Sequence, residues 1–78
     1  MKANRAYELV VRRGGRGPAL LSGPGRVDTL EIVEIDTGEV VLFWELSPGD
    51  AGRMARALRA DLAGLEAGAF MARWRPHG

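Results

Sequence analysis

Catalysis requires nucleophiles, bases or metal ligands, and this chain holds few of them. It has no cysteine and one histidine, His77. Its serines are Ser22, beside a turn, and Ser47, whose place before Pro48 marks it as a helix cap. A nucleophile, a base and an orienting group must lie within hydrogen-bond reach of one another, and these residues assemble no such triad. A tetrahedral zinc site lacks its cysteines and imidazoles. Carboxylates are plentiful, but paired acid–base work needs two acids with divergent pKa values in a cleft. Glu31, Glu34 and Asp36 fall on a strand face read as solvated, in a fold too thin to enclose a ligand pocket. Gly14-Gly15-Arg16-Gly17 runs into Pro18 and a strand, and no Gly-Lys-Ser or Gly-Lys-Thr is present, so it reads as a turn and not a phosphate loop. The expectation is a protein that is not an enzyme, with no metal, cofactor or small-molecule ligand.

Two surfaces remain that could bind. Arg12, Arg13 and Arg16 cluster with glycines at a hairpin tip, and Tyr7, Phe43 and Trp44 offer rings. Cations for phosphates and aromatic faces for bases are the parts of a single-strand nucleic-acid site, with Arg12, Arg13, Arg16, Tyr7 and Trp44 as its contacts. The competing reading places Tyr7 and Trp44 in the core and leaves the arginines solvated. The second surface is apolar and emerges from the strands.

Those strands follow from periodicity. Tyr7, Leu9 and Val11 alternate with Glu8 and Arg12, the period-two signature of a half-buried strand. Gly14 to Pro18 breaks it, Ala19–Ser22 reads as a short return strand, and Gly23-Pro24-Gly25-Arg26 as a type II turn. A third strand runs from about Val27 to Asp36. Its alternation slips, and a β-bulge at Ile32-Val33 would return Leu30, Ile32 and Ile35 to one side; the alternative is that both faces are partly covered. Asp36-Thr37-Gly38-Glu39 predicts a tight hairpin loop with positive φ at Gly38. In the fourth strand, Glu39 to Leu46, Val40, Leu42, Trp44 and Leu46 are expected on one face and Val41 and Phe43 on the other. Both faces are apolar, yet one helix covers only one of them.

The helix signal is the sharpest. Ser47 caps, Pro48 takes the first helical position and Asp50 complements the helix start. Ala51, Met54, Ala55, Leu58, Leu62 and Leu65 then form one apolar stripe. Ala60, Gly64 and Gly68 recur every four residues. Either Gly64 or Gly68 ends the helix, or the small row admits a second backbone. The predicted layout is one α+β domain over residues 1–78: four antiparallel strands over about 5–46, a helix over about 48–67 packed on one face, and a tail over 68–78 that packs Phe70 and Trp74 back.

The 78 residues carry a net charge of +1, which predicts no partner. Basic residues crowd the first third, acids fill Asp28 to Glu39, and arginines return from Arg53, a pattern suited to charge pairing across a sheet. The chain has no apolar run of the roughly 18 residues that cross a bilayer and no apolar leader, so a soluble cytoplasmic protein is expected. A domain this small buries only about 60% of its unfolded surface. Without disulfides or metal, self-association is the expected source of support, a dimer first, through Val41 and Phe43 or through Ala60, Gly64 and Gly68.

At the level of topology, four strands followed by a helix opened by Leu46-Ser47-Pro48 resembles the positive-cofactor-four type of single-stranded-DNA-binding coactivators. The likeness spans about residues 5 to 66. It implies a curved four-stranded sheet, a C-terminal helix, dimerisation through that helix and nucleic-acid binding. The short Ala19–Ser22 and the acidic run Asp28–Glu39 depart from that pattern, and no functional residue is carried across.

Overall fold

A computed structural model describes residues 1–14 and 27–75. A single helical turn, α1 (Ala3–Ala6), leads into β1 (Tyr7–Arg12); β2 (Asp28–Glu34) and β3 (Val40–Leu46) follow, then α2 (Pro48–Gly64) and α3 (Ala67–Trp74). The strands form an antiparallel sheet in the order β1-β2-β3.

The expected four-stranded sheet followed by a single C-terminal helix is therefore corrected to a three-stranded sheet with two C-terminal helices. β1 pairs directly with β2 along its whole length, from Tyr7↔Glu34 to Arg12↔Thr29. The predicted return strand, residues 19–22, lies outside the described residues. Gly14 closes the end of β1 by close approach: a Cβ there would fall 1.6 Å from the Val27 carbonyl oxygen, a distance only glycine permits. The likeness to the positive-cofactor-four topology falls with the strand and helix count.

The predicted single helix over 48–67 is also two. Ser47 Oγ accepts the Asp50 N–H at 3.3 Å, and Pro48 sits in the first turn, so α2 starts where its cap requires. It ends at Gly64. Leu65 turns to an extended conformation, φ −102° and ψ 154°, and Glu66 opens α3. The break is held from far along the chain: Ala3 N–H donates to the Leu65 carbonyl and Ala67 N–H to that of Met1, both at 2.9 Å. Two backbone groups freed by the break thus find partners in residues 1–3.

The helices cover one face of the sheet. Leu30 and Ile32 of β2, Leu42 of β3, Ala51, Ala55, Leu58 and Leu62 of α2, Phe70 of α3 and Ala3 of α1 make the buried core. Phe70 and Trp74 do pack back. Phe70 stacks on Tyr7 with centroids 5.9 Å apart, Trp74 stands edge-on to Trp44 at 5.9 Å, and Trp74 Nε1 donates to Asp61 Oδ2 at 2.9 Å.

The ladder irregularity falls at the predicted step but on the other strand. Ile32 pairs with Leu42 and Val33 with Val40, so the extra residue is Val41 of β3, while β2 keeps its alternation. This corrects two face assignments: Val41 packs against the core, and Val40 moves to the opposite face and is 50% exposed. Gly38 has φ 76°, the left-handed geometry that lets its N–H donate to the Glu34 carbonyl at 2.8 Å and closes the hairpin.

Candidate functional site

The face of the sheet away from the helices is built by strict alternation from what the core takes. With Tyr7, Leu9 and Val11 inward, β1 shows Glu8, Val10 and Arg12 outward; β2 shows Thr29, Glu31 and Val33. The Val41 bulge lets β3 show Val40, Phe43 and Glu45. Across the three strands the outward rows read Glu8–Val33–Val40, Val10–Glu31–Phe43 and Arg12–Thr29–Glu45. Among the described residues no element lies over this face, and Phe43 is 54% exposed.

Its electrostatics are mixed. Arg12 Nε lies 3.5 Å from Glu31 Oε1, and Glu31 keeps only 15% of its side chain exposed between Val10 and Phe43. Charge pairing across the sheet, expected from the sequence blocks, is thus present at this diagonal. Glu8 and Glu45 have no ion-pair partner among the described residues. Glu8, Glu31 and Glu45 against Arg12 make the strands' outward face acidic, with Arg75 bordering it beside Phe43 at the β3 edge.

The sequence-predicted residues divide accordingly. Phe43 is in the middle row of the open face, on the edge strand β3 next to Glu31. Val41 is not on that face. Tyr7 and Trp44 are on the helix side, their rings engaged by Phe70 and Trp74. Arg12 is tied to Glu31, Arg13 is exposed at the end of β1, and Arg16 lies outside the described residues. Among the described residues of the supposed nucleic-acid site, Arg12 and the two rings are therefore on opposite faces of the sheet. Ala60 is exposed on α2 and lines a shallow groove with Ala57, Asp61 and Trp74. Gly64 and Gly68 belong to different helices, so the four-residue spacing does not continue as one ridge; a Cβ at either would meet nothing within 4 Å.

Val10, Val33 and Val40 are the residues that sequence reasoning missed. A signal for Val10 was present: the inward alternation of Tyr7, Leu9 and Val11 already turns it outward.

No group of three or more histidine, cysteine or acidic residues could hold a metal among the described residues. The buried acid, Asp28, has 5% of its surface exposed and accepts the Gly14 N–H at 2.9 Å, a structural bond that ties the ends of β1 and β2. The displaced titration is at Glu66. The hydrogen bond from the Met1 amino group, followed by that group's charge, holds its carboxyl below the ordinary glutamate value, with a smaller contribution from Lys2.

No helix among the described residues is long and apolar enough to cross a membrane. Comparison with protein-family models, curated proteins and solved structures returns no match, so the functional reading stands on the surfaces themselves.

Proposed function

We propose that this protein is a non-catalytic interaction module that pairs with a second copy of itself through the open face of its sheet. The observation that carries this reading is the apolar set Val10, Val33, Val40 and Phe43 on the face of the sheet away from the helices, with Val40 50% and Phe43 54% exposed. Two such faces stacked about 10 Å apart would form a sandwich with the helices outermost. The face also offers both halves of cross-interface ion pairs. Arg12 keeps 67% of its side chain exposed, and Glu8 and Glu45 are exposed with no partner among the described residues. A surface with both signs can complement its own copy.

Size sets the strength. Three strands about 4.8 Å apart and about 20 Å long project roughly 300 Å². Stable interfaces bury about 800 Å² per partner, so a face this small is expected to give a weak dimer that dissociates in the micromolar range, not below it. Sedimentation equilibrium from about 1 to 200 μM spans that range. A monomer throughout it would overturn the proposal. Phe43→Glu, which removes the largest apolar side chain of the face and sets a second carboxylate beside Glu31, should give a folded monomer with unchanged helical circular dichroism.

The nucleic-acid reading has less support. The open face is acidic, and Tyr7 and Trp44 are packed on its other side. Its test is a salt titration of oligonucleotide binding, where phosphate contacts produce a steep fall in affinity.

A further inference from the structure

A second surface, distinct from the open face, runs beside the outer edge of β1. As the first strand of the sheet, β1 has one edge paired with β2 and one unpaired among the described residues. The ladder fixes which groups turn to that edge. Ile35 N–H donates to the Ala6 carbonyl at 2.9 Å, and with Tyr7 opposite Glu34 this makes Glu8, Val10 and Arg12 the residues bonded to β2. Leu9 and Val11 therefore turn both N–H and C=O outward. Tyr7 turns only its carbonyl to use, because its N–H is bonded to Ala3.

Along this edge, between β1 and α2, lies a groove. One half, of about 440 Å³, is lined by Tyr7, Leu9, Ile35 and Leu62, with Asn4 and Glu8 at its rim. The other half, of about 220 Å³, is lined by Val11, Ala51, Ala55, Arg13, Arg56 and Arg59, and Arg59 borders both. Among the described residues none of these arginines makes an ion pair. The carboxylate at this end, Asp28, is buried and bonded to Gly14, so three guanidiniums face one acid.

Unpaired strand groups, apolar recesses and uncompensated positive charge describe one kind of occupant. We propose that this groove receives an extended acidic segment of a partner protein, added antiparallel or parallel to β1 as a further strand. Main-chain bonds to Leu9 and Val11 would hold it, and the side chains of one parity would turn to the helix side: apolar ones into the recess beside Leu9 and Leu62, and carboxylates further along the same face to Arg13, Arg56 and Arg59. The charge argues against a second copy docked edge to edge, which would set Arg56 and Arg59 against their own counterparts. Nucleic acid fits less well, since the ring bordering the groove, Tyr7, is stacked on Phe70.

The experiment uses the full chain and a fluorescein-labelled acidic octapeptide with valine at positions 1 and 3, glutamate at 5 and 7 and serine elsewhere. It is made in both chain orders, so that either strand direction is tested. Its controls are the same peptide with lysine for every glutamate, and one with alternate amides N-methylated. Fluorescence anisotropy at low salt should show binding to the acidic peptide alone, weakened about tenfold by Arg56→Glu with Arg59→Glu and by raising salt to 0.5 M. In nitrogen–proton correlation spectra the peptide should move the amides of Leu9 and Val11, while Phe43→Glu leaves binding unchanged. That last arm separates this site from the dimer face. Equal binding of the lysine peptide, no binding of the acidic one, shifts confined to Val33 and Phe43, or Leu9 and Val11 amides already protected from exchange in the free protein would each overturn the proposal.

Discussion

The two faces of this sheet are made by the same strands and differ by one residue of phase. On the helix side the chain neighbours of Glu8, Val10 and Arg12, namely Tyr7, Leu9 and Val11, turn inward and pack in the core with Leu58, Leu62 and Phe70. On the other side Val10, Val33, Val40 and Phe43 stand around Glu31 with no described element above them. The first face carries the stability of the domain. The second contributes little to it, and its apolar residues gain their worth from burial against something else.

The sharpest way to break the comparison is to cut equally into both sides. Phe70 is fully buried between Tyr7 and Trp74. Phe70→Ala should cost about 3–5 kcal/mol in urea unfolding, enough to leave much of the population unfolded. Phe43→Ala should change the stability of dilute, monomeric protein by no more than about 0.5 kcal/mol. Comparable losses from the two would mean that the open face is covered after all.

Next in size is the effect on association. Phe43→Glu should raise the dimer dissociation constant about a hundredfold, since the largest apolar side chain of the face is exchanged for an unpaired charge. Equilibrium sedimentation reads the change directly. A loss of helical signal in the same variant would instead place Phe43 in the fold.

A third test exploits the bulge. Because Val33 already pairs with Val40 and Ile32 with Leu42, deleting Val41 leaves the rest of the ladder in phase. The deletion should cost about 1 kcal/mol, the burial of part of one valine, and dimerisation should survive it. Deleting Phe43 would instead swing part of β3 to the wrong face. If the Val41 deletion abolishes association as thoroughly as Phe43→Glu does, the bulge is part of the interface and not merely a device that aims Phe43 outward.

The bulge also marks where sequence stopped informing. The slip in hydrophobic pattern at Ile32-Val33 was visible, but alternation within one strand cannot tell which of two paired strands holds the extra residue. That depends on the partner's register. Local chemistry was legible: Gly38 for the turn, Ser47 and Pro48 for the helix start, the stripe from Ala51 to Leu62, and the packing of Phe70 and Trp74. The helix break was only half legible. Gly64 is a stop signal, but a second helix after two extended residues needs Met1 and Ala3 to accept and donate from about sixty positions away. At the candidate site, Phe43 came from β3 alone. Its companions came from two other strands, and only pairing could group them.

The smallest predicted effect lies at that helix break, on the helix side. The Met1 amino group donates to Glu66 Oε1 at 2.7 Å, and Lys2 Nζ lies 3.8 Å from Oε2. The carboxyl's value is lowered in the folded state, so the protein's gain from this pair is full above the unfolded glutamate value of about 4.3 and is lost as pH falls through the lower folded value. Glu66 is 60% exposed, so water and salt screen the pair and the gain is slight. Glu66→Gln should therefore lower the urea midpoint a little at pH 7 and low salt. The gap should narrow on acidification below about pH 4 and close in 0.5 M salt. A gap that widened with acid would mean that the neutral carboxyl, not the ion pair, is what the folded break prefers. The backbone bonds between residues 1–3 and Leu65–Ala67 would then hold the two helices in place without help from charge.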